Sequence, residues 1–379
     1  MFTQNSHHLT ILIMLMLLQS CGSIEHDDPI ITPDKPTAEE KAVSFSSSVQ
    51  EGEEQVTRAA TPLNQNFIVY GYKAIGSTQP IVFNAYTVNY TSGSAGSSED
   101  NTDNYSYVDP DHNQTIKFWD YSASEYRYFG YVPNSLITAD EPTRTLTVSG
   151  LSLSITEPTN YLVSTLKIVP KSEFGNVVQM RFRRPYAQVR VMVYSGEKLE
   201  PAQGDKEGDA IELTNITFGP KDGSSSIVKA GTITIQYPLT TETEESYKII
   251  PTNSSSTTNI LKYKGFYNTS GMLKLTSDNC SSNTAAVAYP SESTDSTTPY
   301  YYVFPLETPD TAKDFTFSVN IDGDDEAKTA IVPAVYMNWQ PNHSYTYIFK
   351  ILEGGLIFVD AKTTDWQYGS SASQTWPNW

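Results

Sequence analysis

Histidine, cysteine and cationic side chains are all scarce in this chain, and each shortage excludes a kind of chemistry. The five histidines are His7, His8, His26, His112 and His343. The first three fall in the leader. His112 (in DPDHN) and His343 (in QPNHS) sit in turn-like contexts where a solvated imidazole needs no catalytic explanation. No HExxH, GxSxG, GxxxxGK[ST] or CxxC pattern occurs, so metal hydrolysis, acyl transfer, phosphate cradling and dithiol exchange lack their signatures. The 25 Lys and Arg are outnumbered by 43 Asp and Glu, a net charge of −18 that leaves no basic patch for nucleic acid. Two acidic groups, Glu99/Asp100/Asp103 and Asp322/Asp324/Asp325/Glu326, miss the DxDxDG calcium pattern and read as hydrophilic tips. The chain is therefore expected to be no enzyme and to use no metal or cofactor.

Long apolar runs are also missing. The run Ile11–Leu18 (ILIMLMLL) is far short of the roughly 20 residues that span a bilayer, but it suits the core of a signal peptide. Leu18-Gln19-Ser20-Cys21 follows directly and resembles a bacterial lipobox, with an aliphatic residue, a small residue and the lipid-bearing cysteine. Residues 1–20 are accordingly expected to be a lipoprotein signal peptide and Cys21 the acylated N-terminus. Cys280 then remains the only thiol, so no intramolecular disulfide can form and stability must come from packing. The stretch GSIEHDDPIITPDKPTAEEK has too few apolar groups to offset the entropy of ordering it and reads as a tether. Its Glu25, Asp27 and Asp28 resemble a surface-export signal of lipoproteins.

A sustained 3.6-residue apolar period is absent as well, whereas Tyr is abundant at 25 residues and period-2 alternation recurs. Strands are expected over 67–73, 81–88, 126–132, 145–148, 151–155, 186–194, 211–218, 231–237, 272–275, 300–305, 315–321 and 345–352. In the 186–194 strand, Ala187, Val189, Val191 and Val193 would share a buried face while Gln188 and Arg190 point away. Turn chemistry at 219–223 and 322–325, and Ser/Thr-rich stretches at 91–104, 251–259 and 291–299, separate these segments. Short strands joined by polar loops imply antiparallel sandwiches, and about 320 to 360 residues beyond the leader imply two domains. The boundary is expected near 195–209, which gives a leader at 21–58 and domains at 59–200 and 201–379.

Several patterns in order resemble the fimbrillin family of type V pilus subunits. They begin with the lipobox, the acidic leader, the short strand Val43–Val49 and Thr57-Arg58-Ala59 ahead of the first core strand. Next come Phe67–Tyr72, Val82–Tyr86 and the 117–133 run, then Met180–Val193, similar to the family's F-x-H-x-L-A-x-V-x-V strand with Arg184 and Tyr186 as departures. The last is 339–350, with Asn342 in place of the usual Gly, followed by Ile357–Val359 and Asp365-Trp366. The resemblance implies an all-β protein of two tandem transthyretin-like antiparallel β-sandwich domains. Such proteins sit on the outer membrane as surface-exposed lipoproteins and then assemble with other pilus subunits into extracellular fimbriae.

The resemblance also implies roles for particular residues. An arginine-specific protease would cut between Arg58 and Ala59, freeing the lipid anchor together with a removable strand whose Val43, Phe45 and Val49 share one face, interrupted by Ser47. The vacated apolar groove and its unpaired backbone would invite a partner's strand. Leu356, Phe358, Trp366, Tyr368 and Trp376 are the candidate donor residues, and Pro377 would stop a ladder beyond them. Tip, anchor or accessory roles are alternatives to a fibre subunit, with a host glycan or host protein as the adhesion ligand. A further alternative is a carbohydrate-binding surface lipoprotein, with Trp119, Tyr121, Tyr126, Tyr128 and Tyr131 as its stacking platform.

Overall fold

The computed structural model describes residues 41–49, 61–92, 104–152, 161–221, 230–251, 273–277, 301–306, 313–353 and 355–365. Among them the chain forms strands and short 3-10 turns but no α-helix, as the period-2 alternation predicts. In chain order the strands are β1 (Phe45–Val49), β2 (Thr61–Pro62), β3 (Phe67–Ala74), β4 (Ile81–Tyr90), β5 (Tyr105–Ser106), β6 (Glu125–Tyr131), β7 (Ile137–Asp140), β8 (Thr145–Ser152), β9 (Val163–Ser164), β10 (Lys167–Pro170), β11 (Val178–Arg183), β12 (Ala187–Ser195), β13 (Ala210–Pro220), β14 (Ala230–Gln236), β15 (Ser246–Pro251), β16 (Leu273–Thr276), β17 (Tyr301–Val303), β18 (Phe315–Ile321), β19 (Lys328–Val332), β20 (His343–Leu352) and β21 (Gly355–Asp365).

They assemble into four sheets. The largest has the order β2-β1-β11-β9-β6-β3-β4-β5, with β10 also on β6, and the others run β15-β14-β8-β7, β17-β12-β20-β21 and β16-β13-β18-β19. Most pairings are antiparallel, but β1 runs parallel to β11 and β12 parallel to β20. Parallel neighbours need a long crossover, which the chain supplies by passing through other strands before it returns.

Alternation along β3 explains how one sheet serves two cores. Phe67 and Val69 join the cluster that the largest sheet encloses within its own curl, whereas Tyr70 and Tyr72 face the β15-β14-β8-β7 sheet. Strand β6 divides the same way, with Tyr126 and Tyr128 inward and Phe129 and Tyr131 outward. A third core lies between the remaining two sheets, where Phe317 stacks on Phe349 at 4.2 Å and Trp339 donates to the Tyr347 hydroxyl at 2.8 Å.

Three arginines hold the segment after β14 against the largest sheet. Arg127 donates to the carbonyls of Glu242 (2.8 Å) and Thr240 and to the Glu125 carboxylate (2.6 Å). Arg144 lies 3.8 Å over the Tyr72 ring and donates to Gln79, and Arg183 pairs with Glu245 and the Tyr247 hydroxyl. Strands β14 and β15 lie beyond the boundary expected at residues 200 and 201, yet β14 pairs with β8 on the other side of it.

Some local expectations change. Gln188 and Arg190 do not point into solvent: they are 8% and 4% exposed, and in the parallel register with β20 they bond to the hydroxyls of Ser344 and Thr346. Alternation reveals two faces but not what covers the second. The Met180–Val193 segment is two strands in two sheets, separated at Arg184–Tyr186 around Pro185, which has no N–H to offer a ladder. The strand expected at 145–148 and the start of the one expected at 151–155 are a single strand, β8, passing through Gly150 at φ +67° opposite a register shift in β14, and residues 153–155 lie outside the described residues.

Replacing Arg127 with Ala is expected to lower the unfolding free energy in urea by about 2 to 3 kcal/mol, because it removes the buried guanidinium that the Glu242 and Thr240 carbonyls and the Glu125 carboxylate share. Lys198→Ala, at a 63% exposed side chain, should change it by less than about 0.5 kcal/mol.

Candidate functional site

Strand β1 is the feature around which the first core closes. Val43, Phe45 and Val49 are 0%, 1% and 2% exposed, and Ser47 on the same face is 7% exposed. Phe45 meets the rings of Phe83 (5.2 Å), Tyr128 (5.6 Å), Tyr107 (5.7 Å) and Phe67 (6.3 Å), all edge to face, the geometry that aromatic quadrupoles favour. Gly71 makes this packing possible: a Cβ there would lie 2.7 Å from the Tyr128 ring and 2.9 Å from that of Phe83.

Polar contacts fix the strand's register. Phe45 to Val49 pair in parallel with Val178 to Phe182, and Ser48 and Val49 pair antiparallel with Pro62 and Thr61. Upstream, Val43 N–H donates to the Lys117 carbonyl (2.7 Å) and Trp119 N–H to the Lys41 carbonyl (3.0 Å). The Tyr107 hydroxyl donates to the Val43 carbonyl (2.8 Å) and accepts from Lys117 N–H (3.0 Å). Ser47 Oγ donates to the Tyr105 hydroxyl at 2.6 Å, which joins β1 to β5 at the far end of the sheet order and closes the curl. Two polar atoms in this core have no partner, Tyr128 Oη and Trp119 Nε1. Burial holds the Tyr128 hydroxyl well above its ordinary pKa, so it remains a protonated donor with nothing to donate to.

Tyr105, Tyr107, Tyr128, Phe83 and Gly71 were not singled out as groove residues from sequence, although the period-2 alternation of 81–88 and 126–132 marks the strands that carry two of them. The chemistry this site can perform is recognition of an extended strand by ladder hydrogen bonds and side-chain pockets. Among the described residues no group of three or more His, Cys, Asp and Glu is placed to hold a metal. His112 pairs with Asp109 at 2.7 Å on an exposed turn, lowering the Asp109 pKa chiefly through that hydrogen bond, and His343 Nδ1 faces the Pro341 carbonyl at 2.8 Å. Asp324 and Glu326 flank Lys328 at the tip between β18 and β19.

The remaining predicted residues are dispersed. Leu356 is buried in the third core and Phe358 packs against it, both on β21, the edge strand paired with β20. Trp366, Tyr368, Trp376, Cys21, Cys280, Arg58 and Ala59 lie outside the described residues. Trp119 is not an open platform: it is 4% exposed, with Phe174 stacked on it at 4.9 Å and Tyr126 against it at 4.9 Å. Tyr126 and Tyr128 are fully buried, Tyr131 is 9% exposed, and only Tyr121, at 42%, presents a ring to solvent.

Among the described residues, an all-β shell closes around the leading strand β1. The profile of fimbrillin-like proteins matches residues 56–366, and the chain belongs to that family. Its fold resembles a protein of Bacteroides ovatus ascribed to cell adhesion (12% identity, 87% of this chain and 99% of that one, TM-score 0.39). It also resembles a fimbrial assembly protein of Parabacteroides distasonis (10%, 84% and 97%, 0.35) and the C-terminally truncated tip fimbrial protein Mfa3 of Porphyromonas gingivalis (11%, 80% and 95%, 0.29). Scores this low carry no functional argument. A search of curated proteins gave no match.

Phe45→Ala is expected to lower stability by about 3 to 5 kcal/mol in chemical denaturation, the cost of emptying an aromatic site. Val335→Asp, at a position 78% exposed, should stay within about 0.5 kcal/mol of the wild type.

Proposed function

We propose that this chain is a structural subunit of a type V cell-surface fimbria serving adhesion and colonisation. It is exported as a lipoprotein acylated at Cys21, cut between Arg58 and Ala59 by an arginine-specific protease, and polymerised by exchange of β1 for a strand of another subunit. The observation that carries this reading is β1 itself, a strand whose Phe45, Ser47 and Val49 face is buried in the first core and which lies upstream of the arginine. Family membership supports a fimbrial role and a cell-surface location. The two domains of this reading, 59–200 and 201–379, share β14 and β15, which lie on the first sandwich's side.

The donor is assigned to the residues after Asp365. Trp366-x-Tyr368-x-Ser370-x-Ala372 repeats the order apolar, aromatic, serine, apolar of Val43-x-Phe45-x-Ser47-x-Val49. In that register Tyr368 would take the place of Phe45, bringing a hydroxyl into the core that holds the unpartnered Tyr128. Trp376 follows beyond the matched segment, and Leu356 and Phe358 form the buried side of the strand leading to it.

N-terminal sequencing of fibres sheared from cells is expected to begin at Ala59, and Arg58→Ala should keep the chain monomeric and membrane-bound. Fibres whose subunits still carry lipid on Cys21 would sink this reading.

A further inference from the structure

The outer face of the largest sheet carries a hollow that the first core does not use. Alternation along β11 sends Val178, Met180 and Phe182 into that core and leaves Gln179 and Arg181 on the opposite, exposed face. The ladder beside them is interrupted. Thr165 N–H donates to the Arg181 carbonyl at 2.9 Å, and beyond that bond β10 pairs with β6 and not with β11. At this parting lies a hollow of about 380 Å³, walled by Arg181, Gln179, Thr165, Leu166, Ile168 and Thr243. Its volume falls in the range of small-molecule sites.

The walls are fixed in advance. Thr243 belongs to the segment after β14, and that segment is pinned on both sides of it. Arg127 holds the Thr240 and Glu242 carbonyls, and Arg183 holds the Glu245 carboxylate. The other oxygen of that carboxylate accepts from Leu166 N–H at 3.1 Å, which ties this wall to the facing one. Such preorganisation lowers the ordering cost of binding. Arg127, Arg144 and Arg183 are all engaged by protein groups, whereas the Arg181 side chain makes no ion pair or hydrogen bond among the described residues. A chain of net charge −18 does not collect anions indiscriminately, so a guanidinium fork held open in a rigid hollow is a local and selective anion contact.

A second hollow, of about 470 Å³, shares Thr243, and there Glu242 and Glu244 stand among Gln236, Thr241 and Ser246. Its carboxylates repel a further anion, while the hydroxyls and the amide suit neutral, hydroxyl-rich groups. Strand β10 presents only four residues of edge, too short to hold a peptide by ladder bonds. We propose that the two hollows bind an oligosaccharide carrying a single acidic sugar, whose carboxylate or sulfate sits on Arg181 and whose neutral neighbours extend past Thr243. This rests on the adhesion role proposed above and gives it a ligand class; it does not depend on how subunits assemble.

Binding to the full chain is measured by isothermal titration calorimetry with sialyllactose, singly sulfated lactose, plain lactose and a capped pentapeptide bearing one aspartate. At least one acidic sugar is expected to bind about tenfold more tightly than lactose, the value of one charge-assisted fork. Sialyllactose alone marks a carboxylate site, and sulfated lactose alone marks a sulfate site. Arg181→Gln should abolish the preference, and Arg181→Lys, which keeps the charge without the fork, should retain about threefold. Both variants should unfold at the wild-type temperature, because the side chain is exposed. Replacing Glu242 and Glu244 together with Gln should strengthen binding of doubly sulfated lactose, because the repulsion beyond Thr243 is gone. Lactose or the peptide binding as well as the acidic sugars, no binding of either acidic sugar, or the full preference surviving in Arg181→Gln overturns the proposal. Such a result leaves the fimbrial reading standing, since assembly of Arg181→Gln subunits into fibres tests that separately.

Discussion

The seating of Phe45 among four aromatic rings is the contact on which the first sandwich depends. It opens a strand that pairs with β11 along its length and with β2 at its far end, and it touches residues from β3, β4, β6 and the segment after β5. A side chain that reaches so many elements turns a long, curled sheet into a closed core. The Ser47–Tyr105 bond draws the two ends of that sheet together, and Gly71 leaves room for the rings beneath. Without β1, a row of ladder donors and acceptors and an apolar floor would face water.

Polar groups elsewhere are arranged so that burial does not penalise them. Arg127 places its guanidinium on carbonyls of a segment with no ladder of its own, Arg144 spreads over a tyrosine ring, and Arg183 is neutralised by Glu245. Each cation sits where sheets of different parentage meet, and together they fasten the chain after β14 to the largest sheet. The net charge of −18 is thus carried mainly by the surface, while several of the scarce cations are spent inside. In the core that β1 completes, the Tyr128 hydroxyl and the Trp119 indole N–H lack a hydrogen-bond partner.

Much of the fold was legible because strand alternation depends on neighbours two residues apart. The segments 67–73, 81–88, 315–321 and 345–352 became β3, β4, β18 and β20 with small shifts at their ends. The strand expected from residue 186, just beyond Pro185, begins one residue later as β12. Gln188 and Arg190 looked solvent-facing because polarity is a local property, whereas a buried polar pair exists only once Ser344 and Thr346 arrive from about 156 residues away.

What the sequence determined by itself was therefore the all-β class, the lack of catalytic patterns, the family resemblance and the apolar spacing of Val43, Phe45 and Val49, all of which are set within a few residues of each position. Only the tertiary structure decided that β1 runs parallel to β11, that β14 returns to β8, and that tyrosines at 105, 107 and 128 converge on one strand. Those facts join residues far apart in the chain, and pairing direction and partner choice depend on loop closure and on the packing of the whole core. No local pattern records them.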